Sequence, residues 1–237
     1  MEFVTTAKGI KFNGLVRGTW EKRNNRFSCS VTVGGMSQLA HLPSSGRMEE
    51  LLIPGVDCWL VPRSGNRKTA FDLLLVRHGD GWVSVDARLP NRLVEIWLEQ
   101  GIISLPGAYS DFRREYSHGD SRYDFFLTGE GDCLMEVKSV TLVEDGVAKF
   151  PDAPTARGTK HVQGLIEAKK QGWAGAIIFV IQREDGRLFQ PNYRQDPQFA
   201  QALVEAHRAG ITILAYSCET QPEGIEYKRE VPVDLGT

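Results

Sequence analysis

Between residues 158 and 216 the chain alternates two amphipathic helix patterns with two apolar strand patterns, and this alternation fixes the fold class of its second half. The first helix is predicted over Gly158–Gln171, where Val162, Leu165, Ile166 and Lys169 recur at three- and four-residue spacing and Gly172 follows as a stop. Ala174–Ile181 is nearly all apolar and of strand length, as a strand covered on both faces must be. A second helix opens with Asp196 as N-cap and Pro197 at the first position, continues through Phe199, Leu203 and Ala206, and stops at Gly210. The strand Ile211–Tyr216 comes next, and Ile225–Val233 is expected at a sheet edge. Strands and helices in this order predict an α/β unit, a mixed sheet with parallel central strands flanked by helices. A shorter helix, Asn91–Gln100, is expected just upstream, capped by Asn91 and ended by Gly101.

The first 84 residues read differently. Short β-like runs at Lys11–Arg17, Phe27–Val33, Gln38–His41, Cys58–Pro62 and Thr69–Arg77 are broken by turn residues such as Asn24-Asn25, Gly34-Gly35 and Pro54-Gly55. Five such strands in so small a region predict an all-β, OB-like barrel, a fold that commonly binds oligonucleotides. The division is therefore residues 1–84 as barrel and residues 85–237 as α/β domain. Charge follows it. Residues 1–84 carry 11 Lys and Arg against 7 Asp and Glu, whereas residues 85–237 carry 17 against 23. A basic barrel beside an acidic larger domain fits a division in which one grips phosphates and the other holds metal; scatter is the competing account.

Within the acidic half, Ser121–Ser139 reads SRYDFFLTGEGDCLMEVKS. Two strand patterns flank the Gly-containing loop Thr128–Asp132, so a hairpin is expected. In a regular hairpin Leu127 faces Cys133 and Asp124 faces Glu136. Glu136 and Lys138 share a face, with Val137 turned to the core. Opposed carboxylates repel, so one of the two is expected to hold its proton more tightly than a free carboxyl. Two carboxylates and a lysine so placed suit a divalent cation and a phosphate. The competing account is a cross-strand ion pair. Arg122 falls on the same face and, in the same register, opposite Lys138.

The spacing Asp–x11–Glu–x–Lys resembles the signature of the PD-(D/E)xK nuclease superfamily, although Tyr123 stands where that signature has Pro. The runs FPDAPTARGTKH (Phe150–His161), EVKSVTL, HLPSSGRM and ILAYS resemble the sugar fermentation stimulation protein A (SfsA) family over most of the chain. That family's early motif reads His-x-Pro-Asn-Thr-Gly, and Ser44-Ser45 replace Asn-Thr here. The resemblance implies an OB-like N-terminal domain, a restriction-endonuclease-like C-terminal domain and DNA as partner. It also implies Asp124 and Glu136 as ligands of Mg²⁺ or Mn²⁺, Lys138 as the residue that orients or deprotonates water, and Glu115 as an additional metal ligand. The activity implied is metal-dependent phosphodiester hydrolysis. The alternative is a non-catalytic regulator of sugar (maltose) metabolism genes.

Other candidates are phosphate contacts. Lys22, Arg23 and Arg26 precede Phe27, mixing cations with an aromatic ring as non-specific nucleic-acid binders do. Arg157 and Lys160 lie at a predicted helix start, a favourable place for an anion, and Arg122 adds a cation near the paired acids. His161 is either a packed core histidine or part of the chemistry. The literal Pro151-Asp152 pair comes after Glu-x-Lys and is not given the first-acid role. No stretch is long enough to span a membrane, no secretory leader is visible, and the four cysteines are unpaired in pattern, so a cytoplasmic protein is expected.

Overall fold

The computed structural model describes residues 3–65 and 67–236. Its first compact unit comprises Met1–Gln100 together with Gln182–Glu184 and Ser217–Lys228, and its second comprises Gly101–Ile181, Asp185–Tyr216 and Arg229–Thr237. The boundary expected at residue 84 thus falls inside the first unit.

The first unit begins with β1 (Val4–Thr5) and β2 (Gly9–Lys11), followed by β3 (Val16–Asn25), β4 (Ser28–Val33), β5 (Met36–His41), β6 (Asp57–Pro62), β7 (Phe71–His78), β8 (Gly81–Ser84) and α1 (Leu89–Glu99). The order β5-β4-β3-β6-β7 closes through pairing of β5 with β7, with β8 added at the β7 side. This is the expected closed five-strand barrel. Trp20, Val31, Leu60, Leu73 and Val76 fill it, because alternate residues of each strand turn inward. Helix α1 starts earlier than expected. Arg88 is its N-cap and Pro90 sits in the first turn, where a missing N–H costs nothing.

The second unit contains β9 (Tyr109–His118), β10 (Ser121–Gly129), β11 (Cys133–Val140), β12 (Val143–Glu144), β13 (Val147–Phe150), α2 (Ala156–Lys170), β14 (Ala174–Ile181), β15 (Leu188–Pro191) and α3 (Pro197–Arg208), followed by β16 (Thr212–Gln221) and β17 (Gly224–Val231). Residues 217–221 of β16 and the first part of β17 belong to the first unit. There β17 lies between β2 and β16, so it is an interior strand and not the expected edge. In the second unit the sheet order is β16-β14-β11-β10-β9. β11 pairs in parallel with β14 along its whole length and antiparallel with β10, which makes the sheet mixed as predicted. A small sheet of β12, β13 and β15 stands beside it.

Helices α2 and α3 pack together over the core through Val162, Leu165, Phe199 and Leu203. The side chain of Thr155 caps α2 by accepting from Gly158 N (3.1 Å), and Asp196 caps α3 by accepting from Phe199 N (3.0 Å). Asp196 also accepts from Thr155 N at 2.7 Å and so ties the two helix starts together. One glycine matters for the site. A Cβ at Gly164 would collide with the Tyr123 hydroxyl, so glycine lets β10 approach α2.

Candidate active site

The hairpin β10–β11 forms in the expected register, with Leu127↔Cys133, Phe126↔Leu134 and Phe125↔Met135 paired. The ladder stops one residue before the acids. At that point Asp124 Oδ2 accepts from Val137 N at 2.8 Å, so a side chain takes the place of a backbone carbonyl and the strands part. The opposed pair expected of Asp124 and Glu136 does not form. The β10–β11 pairs end at Phe125↔Met135, so the ladder does not pair Arg122 with Lys138 either; on its other side Arg122 pairs with Ser117 of β9.

Glu136 sits on central strand β11, 4% exposed. Its Oε1 accepts from Lys138 Nζ at 2.5 Å and from His161 Nδ1 at 2.6 Å. Its Oε2 is buried with no hydrogen-bond partner. Burial by itself would raise this carboxyl, but the Lys138 charge and the His161 hydrogen bond outweigh it and hold the group below its ordinary value. The expectation of a more tightly held proton is thereby reversed for Glu136, because Lys138 and His161 stabilise its charged form.

His161 reaches Glu136 from the first turns of α2, where it is buried beside Val162 and Leu165. Arg157 Nε approaches its other ring nitrogen at 3.5 Å, and Tyr123 donates to its backbone carbonyl at 3.4 Å. Burial holds the Tyr123 hydroxyl in its protonated form, pushing it up to about 12. Both readings of His161 therefore meet in one residue: it packs in the core and it touches the central carboxylate. Its partner lies 25 residues earlier on another element, so no local pattern announces the contact.

Glu115 is exposed, has φ of 57°, and pairs with Arg122 at 3.4 Å. The described β9–β10 pairs step from Tyr123↔Tyr116 to Phe125↔Arg114, passing over Glu115 and Asp124 together. Register thus brings Glu115 opposite Asp124, while its carboxylate is paired with Arg122. Among the described residues no group of three His, Cys, Asp or Glu side chains is gathered to hold a metal ion. The donor set at the fork is two carboxylates, and Mg²⁺ commonly binds through one or two carboxylates with waters completing its shell. A buried carboxylate oxygen without a donor fits such a cation.

Arg157 and Lys160 are both exposed on the first turns of α2, whose opening carries no acid. In the barrel, Lys22 and Arg26 are exposed, and Arg26 lies over the half-exposed Phe27 ring at 5.2 Å. Arg23 differs. Its guanidinium donates to the carbonyls of Arg47 (3.1 Å), Ser44 (3.2 Å) and Arg26 (3.3 Å), pinning the loop that holds Ser44-Ser45. Arg23 is a brace of the barrel, and Lys22 and Arg26 are the cations left at the surface of that turn. All four cysteines are buried free thiols, and among the described residues no helix is long and apolar enough to cross a membrane.

Comparison with known proteins covers the same ground. A family model described as the sugar fermentation stimulation protein RE domain matches residues 88–224, and one described as the SfsA N-terminal OB domain matches residues 22–85. A sugar fermentation stimulation protein homolog of Desulforamulus reducens is 46% identical over 222 residues, covering 93% of this chain and 93% of its own. A homolog from Natranaerobius thermophilus is 43% identical over 227 residues, covering 93% and 95%. A solved structure titled as Pyrococcus furiosus SfsA in complex with Ca²⁺ superposes with a TM-score of 0.88 at 28% identity, covering 96% of this chain and 99% of that one.

Proposed function

The chain belongs to the sugar fermentation stimulation protein (SfsA) family, and from that premise we propose that it binds DNA and hydrolyses phosphodiester bonds at the fork of β10 and β11. The observation that carries the reading is Glu136: a buried carboxylate, ionised by Lys138 and His161, whose Oε2 meets no donor. A buried polar atom left in that state is costly unless something arrives to satisfy it. Asp124 and Glu136 would hold Mg²⁺ or Mn²⁺, which when bound supplies charge to a phosphate oxygen and acidifies water. The Ca²⁺ named with the Pyrococcus furiosus relative supports a divalent cation in this fold, since oxygen ligands serve both ions.

The roles of the chain's own residues follow from their contacts. Lys138, mostly buried, holds a positive charge beside Glu136 and orients the attacking water or stabilises charge on the phosphate. His161 fixes the Glu136 carboxylate through Oε1 and is a positioning residue. Arg157 and Lys160, with Arg122, contact phosphates flanking the scissile bond. Lys22 and Arg26 track the backbone, with Phe27 available for stacking.

The second reading is a DNA-binding regulator that keeps the scaffold without cleavage, as the family name implies. The engagement of the Glu115 carboxylate by Arg122 favours it. Incubation with single-stranded, double-stranded and branched DNA, with and without Mn²⁺, separates the two. Cleavage that needs Mn²⁺ and is lost in Lys138→Ala supports the nuclease. Binding to DNA with no cleavage of any of the three forms supports the regulator.

A further inference from the structure

We propose that the first unit carries a phosphomonoester-binding pocket of its own, walled by Arg63, Arg88 and Arg92 on its polar side and by Phe3, Val61 and Leu89 on its apolar side. The cavity is about 530 Å³, within the range of pockets that take a small ligand and too large for a lone ion. Asp86 also lines the pocket, and buried Asp72 holds two of its arginines. Asp72 Oδ2 accepts from Arg63 Nε (3.1 Å) and Arg88 Nη2 (2.9 Å), while its Oδ1 accepts from Arg67 Nη2 (3.1 Å). Asp86 accepts from Arg88 Nε at 2.8 Å and from Nη2 at 2.6 Å.

Three guanidinium groups, of Arg63, Arg67 and Arg88, thus surround two carboxylates, and Arg92 on the same pocket brings the excess to two positive charges. The Nη1 groups of Arg63 and Arg88 have no protein acceptor among the described residues. Among the described residues Arg92 has only the ring of Phe3, 5.5 Å from its Cζ. Helix α1 starts at this wall, and its N-cap N–H, that of Arg88, already donates to Asp86 Oδ1 at 2.9 Å, so the anion site rests on the guanidinium groups and not on the helix end. The buried acids hold the guanidinium planes before any ligand arrives, so a dianion meets donors already in place. A phosphomonoester matches the charge, and the apolar wall gives its attached ring or sugar a surface. The pocket shares no residue with the Asp124–Glu136 fork, and the proposal does not depend on the reading given to that site.

The test is calorimetric titration of the full chain with adenosine 5′-monophosphate and with adenosine at low ionic strength. The monophosphate should bind about tenfold tighter or more, since a charge-assisted phosphate contact separates the two ligands. Arg92→Ala, which breaks no carboxylate contact, should cost about tenfold. Asp124→Asn should leave the affinity unchanged. Equal affinity for the two ligands, no binding of the monophosphate, or an unaltered Arg92→Ala protein would overturn the proposal. So would loss of binding in Asp124→Asn, which would move the ligand to the fork. A short 5′-phosphorylated oligonucleotide that displaces the monophosphate assigns the pocket to strand ends. One that leaves it bound assigns the pocket to free nucleotides, and both results support the site.

Discussion

Two of the carboxylates that the molecule buries among cations are treated differently. Asp72, in the barrel unit, is 1% exposed and has both oxygens met by arginines. Glu136, in the α/β unit, is nearly as buried, yet both of its donors crowd onto Oε1 and Oε2 has none. Burial and net ion pairing are similar, so neither separates a brace from a site. The hydrogen-bond census does. A saturated carboxylate fixes arginines in place, and a half-saturated one is open to a cation.

The largest effect should come from breaking the saturated cluster. Asp72→Ala leaves Arg63, Arg67 and Arg88 crowded without their shared anion, and should cost about 3–5 kcal/mol of stability by urea denaturation. Glu136→Gln keeps a carbonyl acceptor near Lys138 and His161 and removes an anionic oxygen that had no donor. Its cost should be smaller, about 1–2 kcal/mol, while Mn²⁺-dependent cleavage is lost. Equal destabilisation by the two substitutions would erase the distinction drawn between them.

Acid sharpens the same contrast. Both carboxyls are held below their ordinary values. For each, burial opposes the shift and is outweighed, by the Arg88 hydrogen bond and the Arg63, Arg88 and Arg67 charges at Asp72, and by Lys138 and His161 at Glu136. A carboxyl with a depressed folded value contributes stability above its unfolded value and loses it as the pH falls toward the folded one. For Glu136 the loss begins below its ordinary value of 4.5, and for Asp72 below 3.8. The stability gap between the wild type and each variant should therefore be constant near neutrality and shrink in acid, closing from a higher pH for Glu136→Gln. A gap that widens as the pH falls would reverse the assigned shifts.

Much of this was legible in the sequence, and the failures share a cause. Four of the five barrel strands, the hairpin loop, Ala174–Ile181 and the Asp196-Pro197 helix start are local patterns that formed where the pattern placed them; the strand expected at Lys11–Arg17 instead runs Val16–Asn25, through the Asn24-Asn25 pair that reads as a turn. The opposed Asp124–Glu136 pair failed because it extrapolated a regular ladder through a residue whose side chain replaces a backbone partner. Ile225–Val233 read as an edge because nothing in it reveals that β2, more than two hundred residues earlier, pairs with it. His161 and the arginines around Asp72 join residues from separate elements, and their spacing carries no period to detect. Arg23 was grouped with Lys22 and Arg26 by adjacency, although a register shift between Trp20 and Lys22 breaks the strand's alternation and its guanidinium is held by backbone carbonyls.

The smallest stability effects belong to the surface cations. Lys22→Ala and Arg26→Ala should stay within about 0.5 kcal/mol of wild type, whereas Arg23→Ala should cost more because it frees three carbonyls. If the barrel grips DNA, each surface substitution should lower the slope of log affinity against log salt by about one. An Arg23→Ala protein that is fully stable but alone loses DNA binding would exchange the roles of brace and grip.

The central claim, that the open oxygen of Glu136 marks a cation site, is met most directly by thermal unfolding of wild type and Glu136→Gln with and without millimolar Mn²⁺. Binding to the folded state alone should stabilise the wild type by about 2.7 kcal/mol at a hundredfold excess over the dissociation constant, and should leave Glu136→Gln unmoved. A wild type indifferent to the ion, or a variant that responds as strongly as the wild type, would contradict it.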